Sequence, residues 1–377
     1  MPGQAPRILI RGVNWLGDAV MTTPALQRLR EAHPNSHITL LTHEKLADLW
    51  QNHPALNSVL TFGASETALS VARRLRKQHF TTALVLPNSP RTALEVWLAG
   101  IPQRVGYARA WRNWFLTKIV PARKDRIVMR KRSTSEIKRL IGNTQRATHN
   151  TFPRDAHQLH EYLNLVTALG ANPTAVAPHL HVAPSELEAV TARFGLKPDV
   201  EPIFGLNAGA EYGPAKRWPA DRFISAAVEI QRRTRCRCLI IGGPADVTIA
   251  RKIETEIQNA LGKAADATSP VNLAGKTTLR ELCVLLKHCR VLLTNDSGPM
   301  HVAAAVGTPV VVPFGSTSPE LTGPGLPGDT RHQLLSANAP CSPCFLRVCP
   351  IDFRCMTGIS VEQVVEAVLR AASSPNG

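Results

Sequence analysis

Short β-branched or apolar runs alternate along the chain with longer amphipathic stretches, a pattern that predicts parallel strands separated by covering helices. In the first block the runs Arg7–Arg11, His37–Thr42, Ser58–Phe62 and Thr81–Leu86 read as strands. Helices are predicted between them at about Ala19–Ala32, His43–Gln51, Glu66–His79 and Arg91–Leu98. The alternation resumes at Ile203–Leu206 and continues with strands at Cys238–Gly242, Val291–Thr294 and Val310–Pro313. The helices expected here are Ala220–Arg233, Asp246–Leu261, Leu279–His288 and Gly298–Val306, and a last one covers about Val361–Ala371. Two such blocks predict an α/β protein of two doubly wound, Rossmann-like domains, with ligands at the carboxyl ends of the strands in a central cleft. A helix near Asp155–Leu169 and a proline-punctuated segment, Pro173–Pro184, separate the blocks and put the boundary near residue 180, giving domains 1–180 and 181–377.

A chain of 377 residues can bury two full cores. Its longest apolar runs, such as Val310–Pro313, fall far short of the ~20 residues that span a bilayer. Met1-Pro2-Gly3 leads directly into the first predicted strand without a signal-peptide pattern, so the expected location is the cytoplasm.

Charge adds an anionic partner to this picture. The net charge is +16, and Arg123, Lys124, Arg126, Arg130, Lys131, Arg132, Lys138, Arg139 and Arg146 crowd residues 123–146, with only Asp125 and Glu136 against them. Such a stretch reads either as a solvated loop or as a docking element for a phosphate-bearing substrate or an anionic membrane surface, with Arg123, Arg126 and Arg130 as candidate acceptor contacts. Aromatic residues make up 5% of the chain and no base-stacking or groove-reading motif is visible, so nucleic acid is not expected as a partner.

Three segments carry candidate chemistry. The first, Arg11 to Met21, turns the first strand into the first helix, with Gly12 and Gly17 allowing close backbone approach. Asp18 fits either a helix N-cap or a general base that takes a hydroxyl proton. The glycines do not form the dinucleotide fingerprint, which leaves a nicotinamide oxidoreductase unsupported. The second segment, Asn207 to Pro219, follows the first strand of the second block. There Lys216, beside Arg217, can neutralise charge on a leaving diphosphate. The third, Thr294 to Ala305, ends a strand in Asn295-Asp296-Ser297 and opens a helix at Gly298, so that the hydroxyl of Ser297 and the helix N-terminus can bind a diphosphate without a metal. His301 reads as a buried or capping histidine or as a direct ligand contact, and Asp296 reads equally as an N-cap.

Eight cysteines in a chain expected to stay in a reducing compartment read as thiols rather than disulfides. Cys236, Cys238, Cys283 and Cys289 fall in or near apolar elements. Cys341, Cys344, Cys349 and Cys355 crowd a proline-rich loop at spacing C-x2-C-x4-C-x5-C, which suits reduced structural thiols, a structural zinc or an iron–sulfur cluster.

The segments Trp15 to Met21, Gly209 to Pro219 and Asn295 to Ala305, in this order, resemble the ADP-heptose lipopolysaccharide heptosyltransferases of glycosyltransferase family 9. The run Asn14 to Met21, Leu86-Pro87-Asn88-Ser89 and the cysteine-rich tail look most like the branch that extends a first heptose. The resemblance implies a GT-B fold and an inverting, metal-independent transfer of heptose from ADP-heptose to the first heptose of the lipopolysaccharide inner core. No cofactor is implied, and the lipid-borne acceptor implies peripheral contact with the inner membrane. By the same resemblance Asp18 matches the base, Lys216 the phosphate-binding lysine, and Asp296, Ser297, Gly298 and His301 the donor site. Ala208, Gly209 and Ala210 fall near the donor diphosphate and Thr277 near the adenine, while Asn14, Trp15, Asn88 and Ser89 fall on the acceptor side. The first domain is thus expected to bind acceptor and the second donor. A related transferase with another sugar or acceptor, and a non-catalytic polyanion-binding protein, are the competing readings.

Overall fold

The computed structural model describes residues 5–142, 152–198, 200–262 and 269–373. Met1, Pro2, Gly3 and Arg146 of the features above lie outside these residues. The chain divides into two compact units, Met1–Arg126 with Gln158–His181, and Ile127–His157 with Val182–Gly377.

The first unit holds a parallel six-stranded sheet of β1 (Arg7–Arg11), β2 (His37–His43), β3 (Ser58–Phe62), β4 (Thr82–Val85), β5 (Gln103–Tyr107) and β6 (Lys118–Val120), in the order β3-β2-β1-β4-β5-β6. The chain winds outward from β1 to β3, returns to β4 and winds the other way, so the order reverses between β1 and β4. Leu9, Leu41, Ala83 and Val85 point to one face of the sheet and pack on Val71, Leu75, Ala93 and Val96 of the helices Ala68–Arg76 and Pro90–Leu98. The helix expected over Ala19–Ala32 is two, Leu16–Met21 and Thr23–Ala32. Thr22 separates them, its hydroxyl donating back to Ala19 O at 2.6 Å, and Pro24 sits in the first turn of the second.

The second unit repeats the plan with β7 (Ile203–Asn207), β8 (Arg237–Ile240), β9 (Val271–Asn272), β10 (Cys289–Thr294), β11 (Val310–Phe314) and β12 (Gln333–Ser336), in the order β12-β11-β10-β7-β8-β9. Its order reverses between β7 and β10. The final helix, Val361–Ser373, turns Val364, Val365 and Val368 into the core beside Phe223, Ala226 and Ile230 of the helix Ala220–Thr234.

The basic stretch, expected inside the first domain, is divided between the units. From Ile127 onward it belongs to the second, because Arg132 N donates to Cys344 O at 3.0 Å and Ile137, on the helix Thr134–Gly142, is buried in the core beside Cys341 and Cys344. A run that reads from its charges as solvated thus carries apolar residues, Ile137 and Ile141, that pack it on the core. Among the described residues no helix is long and apolar enough to cross a membrane.

Candidate functional site

In an open doubly wound sheet the loops at the carboxyl ends of the two strands flanking the order reversal diverge, leaving a crevice. Each unit places most of its candidate residues there. In the second unit these are the loops after β7 and β10. Lys216 Nζ lies 2.6 Å from Asp296 Oδ2, and both side chains are largely buried. Thr317 donates its hydroxyl to the same carboxylate, and the Tyr212 ring lies 4.9 Å beneath the ammonium. Asn295 locks the two loops together: its Oδ1 accepts from Trp218 N at 2.9 Å and its Nδ2 donates to Ala208 O at 2.8 Å.

Asp296 is not the helix cap that sequence alone allowed. The N-cap of Gly298–Ala305 is Ser297, whose side chain makes no capping bond and stands 3.3 Å from the Thr294 hydroxyl. Ser297 and Gly298 are only half-buried, so the positive end of this helix remains accessible to an anion. His301, one turn in, is buried, and desolvation, with Asp296 opposing and His157, Lys216 and His332 adding to it, lowers its pKa to about 3. It is neutral at physiological pH and can offer the site a hydrogen bond but no positive charge.

Gly209 stands where a Cβ would run into the Asp246 carboxylate, which is itself held by Gly243 N at 3.0 Å. Gly209 N donates to Asn207 Oδ1 at 3.0 Å. Ala208 and Ala210 are buried beside it. Gly275 N donates to Gly242 O at 2.9 Å, tying the loop after β9 to the loop after β8, and Thr277 follows two residues later, half-buried.

In the first unit the equivalent position belongs to the turn after β1 and the loop after β4. Asp18 sits in the first turn of Leu16–Met21, but the N-cap is Trp15, so the capping role open in the sequence is not the one it fills. Its Oδ1 accepts from Gln158 Nε2 at 3.1 Å, and the same amide nitrogen lies 3.0 Å from the Tyr162 hydroxyl. Desolvation, then the charge of Asp18, raises the Tyr162 pKa well above its ordinary value, so the phenol stays protonated. Asn14 and Trp15 are exposed, with the Lys45 ammonium 5.5 Å from the Trp15 ring. Ser89 caps the helix Pro90–Leu98, its Oγ accepting from Thr92 N at 3.4 Å. Asn88 Oδ1 accepts from Arg112 Nη1 at 3.1 Å.

Each of the three candidate arginines has a carboxylate near it. Arg123 pairs with Asp125 at 2.6 Å and Arg126 stands 3.9 Å from Glu161, both in the first unit. Arg130 belongs to the second and pairs through both terminal nitrogens with Glu136, at 2.9 and 3.0 Å.

Sequence reasoning missed Gln158 and Tyr162, which lie far from Asp18 along the chain and carry no local signal. It also missed Asn295, Thr317 and Asp246; of these only Asn295, beside Asp296 at a strand end, had a readable one.

Cys341, Cys344 and Cys355 are buried in the core of the second unit, and burial raises each of their pKa values, that of Cys355 to about 12. Cys349 is half-buried. The four cysteines line one small pocket, and among the described residues no three His, Cys, Asp or Glu side chains form a group that could hold a metal ion.

Comparison with known proteins bears on the family and the fold. Residues 68–353 match the model of glycosyltransferase family 9 (heptosyltransferase). Lipopolysaccharide heptosyltransferase 2 of Escherichia coli K12 is 29% identical over 324 residues, 84% of this chain and 85% of that protein. Lipooligosaccharide heptosyltransferase 2 of Campylobacter jejuni serotype O:6 is 25% identical over 371 residues, 97% of this chain and 99% of that protein. Among solved structures, E. coli ADP-heptose lipopolysaccharide heptosyltransferase II superposes with a TM-score of 0.75 at 24% identity, covering 97% of this chain and 98% of that one. The fold is the GT-B arrangement of two doubly wound α/β units.

Proposed function

Because the chain belongs to glycosyltransferase family 9, we propose that it transfers heptose from ADP-heptose to the first heptose of a lipopolysaccharide inner core, inverting the anomeric centre and using no metal. The observation that carries this reading is the pairing of Lys216 with Asp296 at the accessible N-terminus of Gly298–Ala305. A lysine, a hydroxyl and a helix end converging on one spot are what a diphosphate needs in place of a metal ion.

The second unit then binds donor and the first acceptor. Lys216, Ser297 and the backbone at Gly298 hold the diphosphate, and the glycine at 209 lets the loop after β7 pass close to the Asp246 carboxylate. Ala208, Ala210 and Thr277 complete the nucleotide side, and His301 supplies a neutral donor. In the first unit Asn14, Trp15, Asn88 and Ser89 border the acceptor, and Arg123 and Arg126 face its anionic groups.

The acceptor hydroxyl attacks the anomeric carbon as Asp18 takes its proton. The bond from that carbon to the β-phosphate oxygen breaks, and ADP leaves with the electron pair, its new charge met by Lys216 and the helix end. Gln158 holds the Asp18 carboxylate in place for this step. A lipid-borne acceptor places the enzyme in the cytoplasm, at the inner face of the membrane.

The test is an assay with ADP-heptose and a truncated acceptor bearing one heptose. Wild type is expected to add a single heptose and release ADP. Asp18→Asn should retain its circular dichroism and its affinity for ADP while turnover falls by about 10²–10⁴. A wild-type rate from Asp18→Asn would remove the base assignment, and no ADP-heptose binding by wild type would remove the donor.

A further inference from the structure

Two tryptophans of the loop between β5 and β6 stand almost wholly in solvent: Trp111 is 82% exposed and Trp114 85%. Exposing two indoles on one loop is costly in water, and this loop is built to keep them out. Arg112, between them, is fully buried and donates to Pro87 O at 2.9 Å. Asn113 Oδ1 accepts from Arg109 N at 3.0 Å, and Arg104 Nε donates to Phe115 O at 2.7 Å. Trp111 adopts φ +63°, a left-handed conformation disfavoured for a bulky side chain. The loop thus accepts strain to present its rings.

The surroundings of the rings are cationic. Residues 66–125 contain eleven Lys or Arg and three acids: Glu95 is buried and paired with Arg11, Glu66 pairs with Arg74, and Asp125 pairs with Arg123. Trp97, 45% exposed, packs on Phe115 with ring centroids 5.5 Å apart. Its helix packs in turn on Ala68–Arg76, where Arg76 donates to Leu98 O and Arg73 and Lys77 are exposed.

We propose that this face of the first unit docks on an anionic lipid bilayer, with Trp111 and Trp114 inserted at the headgroup level and the flanking cations on lipid phosphates. Indole rings with an apolar body and one N–H donor suit that depth, and a segment with this excess of cations suits a negative leaflet better than a protein partner. Because Arg112 ties the loop to Pro87 and Asn88, docking would hold the acceptor side of the first unit at the membrane. This rests on the reading that the acceptor is lipid-borne.

The experiment is co-sedimentation of the full chain with phosphatidylcholine vesicles with and without phosphatidylglycerol, together with quenching of tryptophan fluorescence by brominated lipid. Wild type should bind the anionic vesicles, release with salt and be quenched. Trp111→Ser/Trp114→Ser should weaken binding by about tenfold or more and lose most of the quenching, and Arg73→Gln/Lys77→Gln should weaken binding by about thirtyfold, the loss expected for two cations near the surface. All variants should turn over a delipidated, water-soluble acceptor like wild type, which also shows that they fold. Equal binding to neutral and anionic vesicles, absence of quenching in wild type, or preferential binding of nucleic acid or protein through these tryptophans would overturn the docking. Turnover of the soluble acceptor without vesicle binding would discard the docking and keep the proposed activity; vesicle binding without turnover would do the reverse.

Discussion

The Lys216 ammonium and the Asp296 carboxylate form a 2.6 Å ion pair at the start of the helix Gly298–Ala305, with 13% and 4% of their side chains exposed. The lysine that would meet a donor diphosphate is therefore held in position by a carboxylate before any donor arrives. Removing it exposes the diphosphate to an unopposed negative charge as well as losing an attraction. Lys216→Met is expected to lower kcat/KM by about 10²–10³ and to weaken ADP binding in parallel. Arginine at this position should restore only part of the loss, because its planar fork replaces a point charge. Titration calorimetry with ADP checks the binding half, and an unchanged affinity in Lys216→Met would reject the assignment.

A second prediction concerns the floor of the same site. Any side chain at residue 209 meets the Asp246 carboxylate, which is fixed by Gly243 N and cannot easily retreat. Gly209→Ala should displace the loop after β7 by a few tenths of an ångström or more and raise KM for the donor, leaving KM for the acceptor unchanged. Gly209→Ala/Asp246→Ala, which vacates the space, should recover donor affinity. If the single variant binds donor normally, the close approach at residue 209 is not needed.

Three buried histidines make a prediction about pH. Desolvation lowers the pKa of His301 to about 3 and those of His53 and His332 to about 4, with His179 adding to the shift at His53. Each of the latter two is also held neutral by geometry: His53 Nδ1 accepts from Ala55 N and His332 Nδ1 from Val310 N, both at 3.3 Å. In the unfolded chain these rings titrate near 6.5. Below that pH the unfolded state binds more protons than the folded one, so stability rises with pH in this window. Their contribution is complete above about pH 6.5 and is lost progressively as pH falls toward 4. Urea midpoints should drop between pH 7.5 and 5, and His53→Gln should flatten that slope. An equally steep slope in the variant would remove His53 as a cause.

How far the sequence foretells this molecule depends on what each element needs. Strands buried on both faces, such as Arg7–Arg11 and Val310–Phe314, show as apolar runs because nothing else fits there. Gln103–Tyr107 and Lys118–Val120 lie toward the sheet edge, mix exposed polar residues with a glycine, and escape that pattern, as do the two-residue strand Val271–Asn272 and the edge strand Gln333–Ser336. The candidate residues after β1, β7 and β10 were legible because small residues and polar groups interrupt an apolar run at a strand end. Their partners were not. Gln158 meets Asp18 across 140 residues, and only the fold brings them within hydrogen-bonding distance.

The same holds for the pair beneath the Asp18 turn. Arg11 Nε donates to Glu95 Oε2 at 2.8 Å with both side chains buried, and the Arg11 guanidinium lies 4.2 Å from the Phe62 ring and donates to Gly12 O at 2.8 Å. Burial lowers the Arg11 pKa, with Glu95 opposing the shift, so the carboxylate is what keeps a charged guanidinium tolerable there. Glu95→Ala should destabilise the chain by about 3–5 kcal/mol, since it leaves a buried cation without its partner. Arg11→Met/Glu95→Leu, which removes both charges, should recover most of that loss. The two variants separate stability from positioning: if Gly12 needs the Arg11 hydrogen bond to aim the Asp18 turn, the double variant will be stable yet slow, with kcat reduced and KM for ADP-heptose unchanged. A stable double variant with wild-type kcat would confine the pair to stability, and a loss below ~1 kcal/mol in Glu95→Ala, as for an exposed ion pair, would show that it does not hold the turn at all.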